Sequence, residues 1–108
     1  MQAVILAAGM GKRMGTLTDE TPKALVKTPR GVPFIVAALR AVKAAGIDRA
    51  LIVTGYKGEL LRETLGEVCQ GVALRYLQND RYAVTNNIYS LWLAGEAVNE
   101  DVLLLECD

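Results

Sequence analysis

Val4-Ile5-Leu6-Ala7-Ala8-Gly9-Met10-Gly11-Lys12-Arg13-Met14 opens the chain, and Pro22-Lys23-Ala24-Leu25 follows it. The apolar run Gln2–Ala8 has the length and composition of a central strand buried on both faces. It stops at a loop of small residues. Lys12 and Arg13 follow the glycines at once, and Lys23 arrives after a proline turn. From Gly9 to about Gly31 no hydrophobic period is sustained, so this stretch reads as a loop. At about 22 residues it is long for a compact domain, and loops of that length are commonly functional. Ala8, Gly9 and Gly11 lack bulk, so backbone N–H groups there can approach anionic oxygens closely. Arg13 offers a planar fork and Lys23 a compact charge on a flexible stem. The layout suits a triphosphate.

Working outward, the rest of the chain reads as alternating helices and strands. Pro33 suits a first helical position. Ile35, Val36, Leu39 and Val42 then recur at helical spacing, and Gly46 is a natural stop. Arg49–Thr54 is a second, β-branched strand. Glu59–Leu65 predicts a second helix with Leu60, Leu61 and Leu65 on one face, ending near Gly66. Val72–Leu77 predicts a third strand, Gln78–Thr85 a polar loop. Ile88, Leu91 and Trp92 predict the inner stripe of a third helix, with Asn86 or Asn87 as its N-cap and Tyr89 and Trp92 in the core. Asp101–Glu106 predicts a fourth strand. The order βαβαβαβ implies an α/β fold, a mostly parallel Rossmann-like sheet with flanking helices. Ligands of such sheets bind at the carboxyl ends of strands. The loops after the first, third and fourth strands are then expected around one crevice.

Composition removes several chemistries. The chain has 108 residues, 52% of them apolar, and no net formal charge. That is enough for one small globular domain, and it gives no basic face for nucleic acid. No apolar stretch approaches the roughly 18 residues of a membrane span, and no basic region precedes Val4–Ala8 as in a signal peptide. Cys69 and Cys107 sit in no metal-type spacing and suit a reducing cytoplasm. With no histidine in the chain, Ser-His-Asp and Cys-His triads, His-ligated zinc and the His-x-Gly-His nucleotidyl-transfer motif are excluded. Two phosphate-loop templates also fail. Gly11-Lys12 is followed by Arg13 where a Walker A loop needs Ser or Thr. Met14 stands where a dinucleotide fingerprint needs its third glycine.

A second cluster is Gln78-Asn79-Asp80 with Thr85-Asn86-Asn87-Ile88-Tyr89-Ser90-Leu91. One Asn suffices to cap a helix. Two, with a Gln at the preceding strand end, supply the donors and acceptors that a pyrimidine edge needs. A third element is Asp108, just past the fourth strand. A strand-end carboxylate facing a triphosphate is a natural Mg²⁺ ligand, since that ion prefers oxygen and bridges phosphates.

Residues 4–25, A-A-G-x-G-x-R-M and then P-K-A-L, resemble the signature of the sugar-nucleotidyltransferase superfamily. The run N-N-I-Y-S-L resembles its CTP-using branch, the bacterial phosphocholine and phosphonate cytidylyltransferases. The resemblance implies CMP transfer from CTP to a phosphorylated small-molecule acceptor, with release of pyrophosphate. It implies that Leu6, Ala8, Gly9 and Gly11 line the nucleotide, that Arg13 grips the phosphates and that Lys23 stabilises the α-phosphate. Gln78, Thr85 and Asn86 would lie near the base, with Ser90 a weaker candidate, and Asp108 would hold Mg²⁺. Cys107 stands where the family commonly has another small residue, often Gly. The family's second metal carboxylate comes later than residue 108. Residues 1–108 are therefore expected to be the N-terminal nucleotide-binding part of a longer domain, inactive alone. Two alternatives stay open: a sugar-1-phosphate nucleotidylyltransferase using dTTP, UTP or GTP, and a non-catalytic nucleotide-binding module.

Overall fold

In the computed structural model, the described residues are 1–7, 29–55, 57–80, 92, 94, 95 and 100–106. Among these residues, five strands form one sheet. β1 (Gln2–Ala7), β2 (Arg49–Thr54), β3 (Val68–Cys69), β4 (Val72–Gln78) and β5 (Val102–Glu106) lie in the order β3-β4-β2-β1-β5. The pairs β1–β2, β1–β5 and β2–β4 are parallel, and β3–β4 is antiparallel. All six residues of β1 are buried, as expected of a central strand covered on both faces. The parallel, Rossmann-like reading holds.

Helix α1 (Phe34–Ala44) follows Pro33, which is its N-cap residue, not its first turn. Ile35, Leu39 and Val42 recur at i, i+4 and i+7, so one stripe of α1 is fully buried. Its end is a Schellman motif. The Ile47 N–H donates to Val42 O (3.1 Å) and the Gly46 N–H to Lys43 O (2.9 Å), with Gly46 at φ +84°. Helix α2 (Gly58–Leu65) buries Leu61 and Leu65. Leu60 was expected beside them, yet it is 38% exposed. One residue is a 100° rotation on a helix, so Leu60 and Leu61 cannot both face a single sheet.

The core is split by the sheet. On one face Ala3, Ile5, Ala50, Ile52, Val72 and Leu74 pack with Ile35, Leu39, Val42, Leu61 and Leu65 of the two helices. On the other, Val4, Leu6, Leu51 and Val53 pack with Ala94. This second face corrects the third-helix stripe. Trp92, Ala94 and Gly95 have helical backbone, but Trp92 is 57% exposed while Ala94 is 2% exposed. The small residue is the one that lets the chain sit close to the sheet. Ile88, Leu91 and the Asn86/Asn87 cap lie outside the described residues.

Strand β3 was not expected. Gln70 (φ 54°) and Gly71 (φ 78°) join it to β4, the sign pattern of a two-residue type I′ hairpin. Two residues are too few to show an alternation, and Gln lacks the turn signal of Asn or Asp at the first position. Away from the site, Glu100 closes the β1–β2 margin. Its carboxylate meets the Arg49 guanidinium at 2.9 Å and the N-terminal ammonium at 3.6 Å. Partial desolvation opposes its charge, but the two cations outweigh that and hold the carboxyl below its ordinary range. Among the described residues, no helix is long and apolar enough to cross a membrane.

Candidate functional site

The carboxyl ends of β1, β2 and β4 form one edge. Ala7, Thr54 and Gln78 are register partners across it, Ala7 with Thr54 and Thr54 with Gln78. Strand β2 thus stands between β1 and β4. The strands whose ends were expected around one crevice, β1, β4 and β5, lie as neighbours or near-neighbours in the run β4-β2-β1-β5, with the end of β2 falling between those of β4 and β1. Among the described strands, β5 adjoins β1 on its other side.

Gln78 is tied to the end of β2 at both ends of its amide. The Thr54 hydroxyl donates to Gln78 Oε1 at 2.8 Å, and Gln78 Nε2 donates to the Gly55 carbonyl at 3.2 Å. The Asn79 N–H, one residue further, donates to Thr54 O at 2.6 Å, and Asn79 is buried. Helix α2 then presses on this corner. A methyl group on Gly58 would lie 2.6 Å from Gln78 Oε1 and 2.8 Å from both Thr54 Cβ and Oγ1. A glycine is required there for close approach, not for backbone conformation.

Thr54, Gly55, Gly58, Tyr76 and Gln78 line an open groove of about 590 Å³, within the size range of small-molecule sites. Its rim carries both signs, Lys57 and Arg62 with Glu59 and Asp80. On its wall the Tyr76 hydroxyl donates to Gly66 O at 2.6 Å, and the Arg62 guanidinium lies 5.3 Å from the Tyr76 ring centroid, a cation–π distance. Burial raises the Tyr76 phenol above its ordinary pKa; neighbouring Cys69 adds to this and Arg62 opposes it.

Of the residues expected from the sequence, two fall among those described. Leu6 is buried near the end of β1, in the core of the Ala94 face. Gln78 is exposed at the end of β4, on the edge. Arg13, Lys23, Ala8, Gly9, Gly11, Thr85, Asn86, Ser90 and Asp108 lie outside the described residues. Sequence reading missed Thr54, Gly55 and Gly58. The available signal was Thr54-Gly55 closing a β-branched strand, followed after two residues by a glycine opening a helix. That pattern marks a tight corner but not its partner. No group of three or more Cys, Asp or Glu side chains that could hold a metal ion occurs among the described residues.

Residues 3–108 match the MobA-like NTP transferase domain. The chain therefore belongs to the MobA-like NTP transferase family. It is 40% identical over 96 residues to the choline-phosphate cytidylyltransferase of Streptococcus pneumoniae, covering 89% of this chain and 40% of that protein. It is 35% identical over 108 residues to the CMP-5'-(3-aminopropyl)phosphonate synthase of Streptomyces rubellomurinus, covering 100% of this chain and 17% of that one. Among solved structures, the CTP:phosphocholine cytidylyltransferase from Streptococcus pneumoniae superposes with a TM-score of 0.78 at 38% identity, over 99% of this chain and 44% of its own. The chain thus spans less than half the length of each of these relatives.

Proposed function

We propose that the protein carrying this chain transfers CMP from CTP to a phosphorylated small alcohol or a phosphonate, phosphocholine-like in size, and releases pyrophosphate. The observation that supports this most directly is the similarity to a choline-phosphate cytidylyltransferase across 89% of the chain. The N-N-I-Y-S-L run at 86–91 points the same way.

In this reading the triphosphate lies against the Gly9–Lys23 loop, where Ala8, Gly9 and Gly11 allow backbone N–H groups to reach its oxygens. An acceptor oxygen attacks the α-phosphorus in line. One O–P bond forms, the bond to the β-phosphate bridge breaks, and its electron pair leaves with pyrophosphate. A phosphate monoester is largely dianionic near neutral pH, its second pKa being about 6. The nucleophile therefore needs no general base, in keeping with a chain without histidine. Lys23 and Arg13 neutralise charge that grows at the α-phosphate and on the leaving group. Gln78, Thr85 and Asn86 orient the base.

Strand β5 pairs directly with β1, so Asp108, two residues beyond Glu106, follows the neighbour of the strand that feeds the phosphate loop. In this reading Asp108 would be an oxygen ligand for a triphosphate-bound Mg²⁺, which would supply charge neutralisation. Residues 1–108 then contribute the nucleotide half of the site, and the acceptor half comes from sequence beyond them. A substrate panel read by pyrophosphate release in the full-length protein tests the proposal. CTP with phosphocholine or an aminoalkylphosphonate is the expected best pair. Preference for a sugar 1-phosphate with UTP, dTTP or GTP overturns it.

A further inference from the structure

We infer that Thr54 is a positioning residue for Gln78 and, through it, sets which nucleotide base the site accepts. The inference rests on the reading of Gln78 as a base-contacting residue.

A glutamine amide is ambivalent. Rotating its terminal torsion by half a turn exchanges a donor for an acceptor at nearly the same place. Such a side chain at a base pocket can serve cytosine or uracil alike. These bases differ in the sense of their edges: cytosine presents an amino donor where uracil presents a carbonyl acceptor. An amide selects between them only if its own sense is held.

At the β2–β4 corner it is held. The Gly55 carbonyl can only accept, so the amide end facing it at 3.2 Å is Nε2. In the reversed sense Oε1 would face that carbonyl oxygen, two acceptors with no proton between them. The other end faces the Thr54 hydroxyl at 2.8 Å. Thr54 is 3% exposed and is the register partner of Gln78, so its own position is set by the sheet. Its remaining acceptor, Leu77 O, is 3.5 Å away, the long limit of a hydrogen bond. The hydroxyl proton is therefore best placed on Gln78. Helix α2 packs close on this corner: a Cβ added at Gly58 would lie 2.6 Å from Gln78 Oε1. With those bonds made, Gln78 keeps one N–H and one lone pair, in a fixed sense, for a ligand.

The test compares kcat/KM for CTP and for UTP in the full-length protein. Thr54→Val keeps the shape and removes the hydroxyl. It is expected to lower the CTP/UTP ratio about tenfold, the worth of one strong hydrogen bond. The loss should fall in KM for CTP, because the base is remote from the reacting phosphorus. Thr54→Ser should restore the ratio to within about threefold of the parent. If Thr54→Val does not fold, Thr54→Ala carries the same expectation. Gln78→Ala separates the two ideas. A ratio unchanged by Gln78→Ala overturns the base-contact reading and the inference with it. A ratio lost in Gln78→Ala but kept in a folded Thr54→Val or Thr54→Ala protein overturns the positioning role alone.

Discussion

Leu6 and Gln78 stand at the same edge of the sheet but on opposite faces. Leu6 packs with Val53 and Ala94. Gln78 shares the alternation of Tyr76, which packs on the face covered by α1 and α2. Strand β2 lies between them. A ligand that touches both residues must therefore cross the edge of the sheet instead of lying on either face. The carboxyl edge of a parallel sheet is where strand-end loops are free to meet such a ligand.

The phosphate-loop assignment predicts the largest kinetic effect. Lys23→Ala in the full-length protein should cut kcat by about 10²–10³-fold, the usual loss when one donor to a developing charge is removed. The melting temperature should stay that of the parent. Steady-state pyrophosphate release beside a thermal melt checks this, and turnover within a few-fold of the parent would remove Lys23 from the mechanism.

Two glycines should respond to alanine for different reasons. Gly58 is the first residue of α2, so alanine there would gain less than the roughly 1 kcal/mol of propensity that it gains in a helix interior. The new methyl, however, meets the Thr54 side chain at 2.8 Å, and Thr54 Cβ is fixed to a buried strand. Overpacking of that kind costs about 1–3 kcal/mol, so the net effect should be destabilising. At Gly46 nothing lies within 4 Å, but φ is +84°; the left-handed conformation alone should cost about 1–2 kcal/mol. Urea denaturation of both variants measures the two losses.

Core truncation should separate the centre of the sheet from its margin. Ile52 is fully buried between β1 and β4, whereas Leu104 on β5 is 41% exposed. Ile52→Ala should cost about 2–5 kcal/mol. Leu104→Ala should cost well under half of that, since much of its surface already meets water. The same urea titrations decide it; equal losses would mean that Leu104 is covered in solution.

Cys69 should be a slow thiol. Partial burial pushes its pKa above the ordinary value, and this outweighs the opposing effects of Gln70 and Arg40. Thiolate is the reactive form. A raised pKa lowers its fraction at neutral pH and restores it only as pH rises past the ordinary cysteine range. Alkylation at about pH 8 should therefore be slower in the folded chain than in denaturant, with the gap closing at higher pH. Peptide mass spectrometry that resolves Cys69 from Cys107 reads this directly, and equal rates at about pH 8 would refute it.

Local pattern alone was enough for most elements. The buried run of β1, the i, i+4, i+7 stripe of Ile35, Leu39 and Val42, the stop at Gly46 and the bounds of β2 all follow from periodicity and backbone preference. These act over a few residues, so they are written where they operate. The phosphate-loop motif and the absence of histidine were equally local, and they pointed to the family before any geometry. What only the tertiary structure decided depends on pairing between distant segments. Strand β2 lies between β1 and β4, and that order sets Thr54 beside Gln78, residues 24 apart in the chain. No local period encodes a strand's neighbour; that choice comes from the whole sheet burying both faces at once. The same cause exposes Leu60 and Trp92 and buries Leu61 and Ala94. Hydrophobicity says that a residue can enter a core, but the packed sheet decides which of two adjacent candidates does.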